Sequence, residues 1–583
     1  MRTLLPTLLA VTLLSAGVAA QSVEVEEVVL DNGMTFLLMP RHEQPNTISC
    51  GWVAKVGSVN ERPGITGISH FFEHMMFKGT TSIGTSDVAA DAKFMERQRA
   101  VKKQINELIW GEQYERYRRG EIDDPWDPAH DTQQLSRLRT ELRRLMDEHR
   151  SVIEKNEFAE IYTNAGATGL NAFTSNDITF YIITLPSNKL ELWTWMESDR
   201  LSDSVFREFY AERDVVHEER RMRLESSPTG ELDEQFDAMF WQSSPYSWSV
   251  IGWPSDLNSY TREQFDEYFN IYYRPNNLVG VIVGDFEIAE VMPLIETYFG
   301  RLQPGVRPPA PVVTLEVEQL AEKRLIGSCD CQPQIKVRYH TVPFGHADGD
   351  TLDVLSAVLN GRTGRLYKSM VEGMEIAAGA MTRQESMKYA GSFLFQAEVK
   401  GEATPSDLEA AWESEVARLK EEPVSPYELQ KVKNQIAADA YRRLETNNAL
   451  MIQLGMYEAM GEWEYINESP VRLAAVTAED IMRVANTYFT PKNRCVALYS
   501  RRPRPTGDDG GDDELAQFPP EVRQQIEAMM SQLMTKDNPD ELRMIVGMME
   551  AQAGSVPPEH QATMAYVVKK LNERIAQLDG GDQ

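Results

Sequence analysis

The stretch Gly67-Ile68-Ser69-His70-Phe71-Phe72-Glu73-His74-Met75-Met76-Phe77-Lys78-Gly79-Thr80 sets two histidines four residues apart. On a helix they share one face, one turn apart, and can chelate a single metal ion. Glu73 follows His70 by three residues, projects on the same side, and can take a proton from a water held at that metal. The order is the reverse of His-Glu-x-x-His. The whole chain has only nine histidines, so the cluster is a rare arrangement by chance. Two surface histidines on an amphipathic helix would not account for the apolar residues that flank them.

A catalytic zinc site takes a third protein ligand and keeps a fourth position for water. Further along, Ala211-Glu212-Arg213-Asp214-Val215-Val216-His217-Glu218-Glu219-Arg220 reads as a helix rich in candidates. Glu212 and Glu219 share a face, two turns from each other. His217 and Glu218 compete with them, and spacing alone does not choose. Without the histidine pair, such a charge run would read as a solvated helix face.

Around these helices the chain alternates strand-like and helix-like stretches. Val25–Leu30, a turn at Asn32-Gly33, and Thr35–Met39 predict a hairpin. Thr47–Val53, Ile178–Leu185 and Leu278–Gly284 are further strand candidates. A proline-rich linker at 303–312 separates a first domain, 23–302, from a second, 313–503. The ends of the two halves repeat one another: helix Thr261–Tyr268, then Tyr273–Asn277 and a strand, parallels helix Thr477–Tyr488, then Thr490–Arg494 and a strand. This repeat predicts an internal duplication, hence two α+β domains of related fold. Charge-dense residues 95–158, with Asp123-Asp124-Pro125-Trp126-Asp127-Pro128 at their middle, predict a helical hairpin inserted at the surface. After Arg504, an acidic linker at 507–514 leads to a helical tail, 504–583, with an apolar stripe from Val522 to Leu578. That stripe suits a module docked on its own chain better than one that binds a partner.

Acidic residues outnumber basic ones by 89 to 59, for a net charge of −30 over 583 residues. Such a surface repels phosphate backbones and excludes nucleic acid and anionic membrane as partners. The apolar run after Arg2, closing on Val18-Ala19-Ala20, predicts a cleaved signal peptide at 1–20, export to the periplasm or beyond, and no stable membrane insertion. Four cysteines are too few for a disulfide scaffold. Cys329 and Cys331 stand too close in sequence to predict an unstrained bridge.

The residues around His70 resemble the signature of the pitrilysin/insulysin and mitochondrial processing peptidase family of inverted-motif zinc peptidases. Gly169–Ser175, Glu212–Glu219, Tyr272–Asn277, Gly361–Tyr367 and Val476–Asp480 resemble further landmarks of that family in the same order, over about 23–502. The likeness is greatest to its two-domain, processing peptidase-like bacterial members. It implies two duplicated domains, each an antiparallel sheet packed by helices, and zinc as cofactor. His70, His74 and Glu219 would be the metal ligands, Glu73 the general base, and Glu212 a supporting carboxylate. Asn171 and Ala172 would lie on an edge strand that pairs with the backbone of a peptide substrate. The activity implied is an exported zinc endopeptidase acting on peptides or unfolded segments in a closed chamber. The alternative, a non-catalytic binding or assembly subunit on the same fold, is opposed by the intact His70, Glu73, His74 and Glu219. The wide gap between His74 and Glu219 departs from compact relatives, and residues 95–158 account for it.

The same resemblance implies an arginine and a tyrosine, seven residues apart, that hold the substrate carbonyl from a second pair of domains. Val371 and Ala378 stand at the matching positions, and neither can donate a side-chain hydrogen bond. Arg362 or Arg365 with Tyr367 is the alternative assignment. The expectation is a heterodimer whose other subunit supplies the pair, in preference to a homodimer.

Overall fold

The computed structural model describes residues 22–305 and 307–502, and in the tail 518–519, 522–523, 526, 529–530, 533, 536, 538–552 and 558–580. The expected signal peptide and the acidic linker at 507–514 fall outside the described residues.

The first sheet contains β1 (Glu26–Val29), β2 (Thr35–Pro40), β3 (Thr47–Ala54), β4 (Thr168–Thr174), β5 (Thr179–Pro186) and β6 (Leu278–Gly284), in the order β1-β2-β6-β3-β5-β4. The second contains β7 (Lys323–Cys329), β8 (Gln334–Thr341), β9 (Ala377–Ser386), β10 (Gly391–Val399) and β11 (Arg494–Arg501), in the order β7-β11-β8-β10-β9. With β1 set aside the two orders are the same, so the chain is built from two duplicated α+β domains, followed by C-terminal helices. The repeated ends also match in detail. Thr261 and Thr477 each close a capping box on the following helix. Asn277 donates to the Tyr272 carbonyl at 2.9 Å, and Asn493 donates to the Tyr488 carbonyl at 2.8 Å.

Neither sheet is wholly antiparallel. β6 runs parallel to β2, and β11 parallel to β7. In each domain the last strand returns and inserts beside the first, and such a crossover brings a parallel neighbour.

The main core lies under the first sheet, where Phe71 and Phe72 pack with Phe206, Phe209 and Phe265. The other face of that sheet is covered from the second half of the chain. Helix Asn447–Met460 lays Leu450, Met451 and Leu454 against Phe180, Val279 and Val281. Gly51 permits the approach: a Cβ there would meet Met451 Sδ at 2.9 Å and the Tyr181 carbonyl at 2.7 Å.

Residues 95–158 form the expected helices, as parts of Val88–Leu108 and Gln133–His149, but they do not stand apart at the surface. Ile105, Ile109, Leu135 and Leu142 belong to the main core cluster. Buried Asp91 accepts from Arg207 Nε at 2.8 Å and lies 2.7 Å from His149 Nε2. Cys329 and Cys331 are joined by a disulfide across the bend after β7, with their Cα atoms 5.2 Å apart. Cys50 and Cys495 are free and buried. In the tail, Ile526, Leu542, Val546, Val567 and Leu571 close a separate small core between helices Pro539–Gln552 and Pro558–Gly580. Among the described residues no helix is long and apolar enough to cross a membrane.

Candidate metal centre

The histidine pair sits on helix Ile68–Met75, whose buried face carries Ile68, Phe71, Phe72 and Met75. Gly67 starts it in the left-handed region at φ +86, where a side chain is strained and where a Cβ would also meet the Ile251 carbonyl at 2.4 Å. Gly67 has no capping side chain, so the cap comes from elsewhere: Glu61 accepts from Gly67 N–H at 2.7 Å and from Ser69 N–H at 2.8 Å. Burial raises the Glu61 carboxyl to about 8, even against these two donors.

The partner helix, Phe209–Arg220, packs through Phe209, Tyr210 and Val216. It is pinned at its end by Arg220, which donates to Glu234 at 2.8 and 2.6 Å and to the Gly252 carbonyl at 2.8 Å. A π-helical turn, Arg221–Glu225, follows directly. Such wider turns recur at functional sites.

These two helices bring His70, His74 and Glu219 together, with one ligand atom from each lying within 4.8 Å of the others. Glu219 Oε2 stands 3.6 Å from His70 Nε2 and 3.3 Å from His74 Nε2. Ligand atoms arranged tetrahedrally around zinc, with bonds of about 2.0–2.2 Å, stand roughly 3.3–3.5 Å apart. Glu219 Oε2 is buried and makes no hydrogen bond, which is costly for a carboxylate oxygen unless a cation satisfies it. The donor set and its spacing therefore fit zinc. Among the alternatives, Glu218 points outward and accepts from Arg221 Nε at 2.9 Å. His217 is not part of the cluster; burial first, then Arg213, pushes its pKa down to about 4.

Protonation is arranged in detail. Burial, with His74 and Arg223 nearby, pushes His70 down to about 3 and keeps it in the neutral, ligating form. Burial also works against a charge on His74. There, however, Glu212 Oε1 sits 2.9 Å from Nδ1 and raises the pKa overall. Glu212 is in turn held at 2.6 Å by Lys78 Nζ; burial opposes its charge, yet His74 and Lys78 together keep its carboxyl below the ordinary range. Burial raises Glu73, and the Thr174 hydroxyl, donating to its Oε2 at 2.6 Å, pulls the other way.

A cleft of about 590 Å³ opens beside these groups, lined in part by Glu73, His74, Glu212, Asn171 and Ala172. Asn171 and Ala172 lie on β4, the outermost strand of the first sheet. Thr174, Lys78 and Arg223, which bonds Glu219 Oε1 at 2.7 Å, were not among the expected site residues. Lys78 and Arg223 stand at i+4 from a ligand, and that spacing was the only signal for them in the sequence.

A metal-ligating His-x-x-Glu-His helix, a glutamate from a second helix and a duplicated α+β scaffold define the active site of a zinc metalloendopeptidase. The family described as Insulinase (Peptidase family M16) matches residues 37–94, and that described as Peptidase M16 inactive domain matches residues 259–436. Zinc protease PqqE of Helicobacter pylori is 25% identical, with 83% of this chain and 95% of that protein aligned. The crystal structure of a protease from Helicobacter pylori superposes with a TM-score of 0.67 at 22% identity, over 82% of this chain and 99% of that one. The periplasmic protease PqqL from Escherichia coli gives 0.59 at 16% identity, over 82% of this chain and 48% of its own. The chain thus has the insulinase-type (M16) zinc peptidase fold.

Proposed function

We propose that this chain is an exported zinc endopeptidase of the two-domain, processing peptidase-like kind, cutting peptides or unfolded segments inside a closed chamber as the catalytic subunit of a dimer. The observation that carries the reading is the convergence of His70, His74 and Glu219 beside Glu73 and an open edge strand. His70, His74 and Glu219 would hold zinc, which would supply Lewis acidity to the scissile carbonyl and the attacking water. Glu73 takes the proton of the attacking water and passes it to the leaving amine. Thr174 fixes the carboxylate in place for both transfers. Glu212 orients His74 from behind, and Lys78 balances its charge. Asn171 and Ala172 offer the β4 backbone to an extended substrate, which selects unfolded chains by shape.

A missing part supports dimerisation. Val371, in the turn Tyr367–Gly373, and Ala378, on β9, cannot hold a developing oxyanion. Arg365 is not free to replace them, because it is buried between Glu415 at 3.3 Å and Glu428 at 3.1 Å. A partner subunit bearing the arginine and tyrosine would complete the chamber. Export is supported by the leader-like Met1–Ala20 and by likeness to a protease described as periplasmic. Glu73→Gln tests the reading: it should keep its zinc and lose peptide cleavage in the assembled enzyme. Cleavage equal to the parent's would leave the chain a binding subunit.

A further inference from the structure

The face of helix Phe209–Arg220 that turns away from Glu212 and Glu219 carries Arg213, Asp214 and His217, at 100–200° around the axis by helical geometry. It meets the helices of residues 88–149 across a second cavity of about 600 Å³, separate from the metal cleft. Lys102, only 5% exposed, lines this cavity. Its Nζ reaches the Asn258 carbonyl at 3.1 Å and lies 5.4 Å from the Trp126 ring centroid. Among the described residues no carboxylate stands within ion-pair distance of it. Burial chiefly, and then Arg213 and Arg139 from the same cavity wall, lower the Lys102 pKa, against a smaller opposing effect of Asp214.

Several polar atoms on these lining side chains are buried without a partner: Trp126 Nε1, Arg213 Nε and His217 Nε2. Trp126 is itself 6% exposed. Buried donors left unpaired are costly, and here they share a cavity with an unneutralised lysine. The acids of the cavity are mostly engaged. Asp131 pairs with Arg139 at 2.9 Å and Asp214 with Arg213 at 2.9 Å, while Asp124 and Asp127 accept from the Trp126 and Ala129 N–H groups at 2.7 and 2.8 Å. Among these acids one oxygen, Asp131 Oδ1, is buried without a hydrogen-bond partner. Buried unpaired donors beside one buried unpaired carboxylate oxygen suit an oxyanion that still carries a proton. Inorganic phosphate does near neutral pH, a phosphate monoester does below its second pKa of about 6, and sulfate does not.

We propose that this cavity binds a phosphate group, free or as the monoester of a small molecule, with Lys102, Arg139, Arg213, His217 and Trp126 facing its oxygens and Asp131 accepting a hydrogen bond from its hydroxyl. Residues 95–158 supply one wall and the glutamate helix the other. The site exists because of the insertion, and its occupant braces from behind the helix that carries Glu219. It is an effector site, not a substrate subsite.

The test is calorimetric titration of the full-length, zinc-loaded protein at about pH 6, where both phosphate and its monoester carry a proton, with inorganic phosphate, glycerol 3-phosphate and sulfate, repeated on Lys102→Met and Arg139→Gln. The expected result is saturable binding of one equivalent of phosphate or its monoester, at least tenfold tighter than sulfate. It is lost in both variants, while their zinc content and cooperative melting stay at the parent level. A tighter fit for glycerol 3-phosphate than for phosphate identifies an ester as the occupant, and the reverse identifies the free ion; either supports the site. No saturable binding, equal binding of sulfate, or full binding by folded Lys102→Met and Arg139→Gln overturns it.

Discussion

At the scale of single residues, the site's groups do not act alone: His74, Glu219 and Glu73 each meet a side chain from outside their own helix. Thr174 is the sharpest case, since its hydroxyl is the hydrogen bond found on Glu73. Thr174→Val should lower kcat roughly 10- to 100-fold, the worth of a hydrogen bond to a charged group. KM and zinc content should stay near the parent's, and Thr174→Ser should restore turnover; a kinetic comparison of the three proteins checks this. Acid sensitivity should follow from Glu212. Its contact raises the pKa of His74 in the metal-free protein, whereas His70 stays neutral down to about 3. A proton competes with zinc only at a histidine that takes one. Apparent zinc affinity should therefore fall with acidification first along His74, by one decade per pH unit below its raised pKa. Glu212→Gln removes the cause of that rise. The fall should then begin at lower pH, and affinity at neutral pH should drop roughly 10- to 100-fold with the lost orienting carboxylate. Chelator competition across pH reads both effects. His70, Glu73 and His74 were legible in the sequence because their spacing is local. Thr174 and Lys78 lay within stretches already singled out, but their partners are 101 and 134 residues away in the chain, and no periodicity connects them.

At the scale of elements, the helices of residues 88–149 behave as part of the core. Arg207 donates to the carbonyls of Lys78, Thr80 and Ile83 at 2.5–3.1 Å, and so shapes the loop that leaves the metal-bearing helix. Its charge is met by Asp91, which is also bonded by His149. Excising 95–158 removes His149 together with Ile105, Ile109, Leu135 and Leu142, leaving a buried network half satisfied and a hole in the main cluster. Removing one member of such a network costs about 3–5 kcal/mol before any cavity is counted. The deletion should be insoluble or free of zinc, as judged by soluble yield and metal analysis. A soluble, zinc-bound deletion protein would contradict this placement. The helices themselves could be read from their periodicity and the proline turn. Their burial could not, because the apolar residues are sparse among charges and the surface they meet lies elsewhere in the chain. Helix Asn447–Met460 poses the same difficulty in reverse: its apolar residues announce burial, but nothing local says that they cover the first sheet.

At the scale of the whole molecule, duplication explains why one chain holds one metal. The repeat was readable where it preserves local signals, namely a capped helix, a Pro-Asn turn and an apolar strand. The parallel pairings of β6 with β2 and of β11 with β7 were not, since each joins the two ends of a domain. In the second domain the helix that follows β8, Ala347–Leu359, carries no histidine, so the fold repeats without the site. Val371 and Ala378, at the positions where the resemblance implies an arginine and a tyrosine, set a further expectation. The purified chain should cleave peptides poorly and gain turnover when a partner bearing both residues is added, as a fluorescent peptide assay would read. Everything above depends on three side chains holding one zinc, and metal stoichiometry tests that most directly. By elemental analysis of the purified protein, the parent and Glu218→Gln should each carry one zinc per chain, and Glu219→Gln should lose most of it. Zinc retained at the parent level in Glu219→Gln would contradict the assignment of the metal centre.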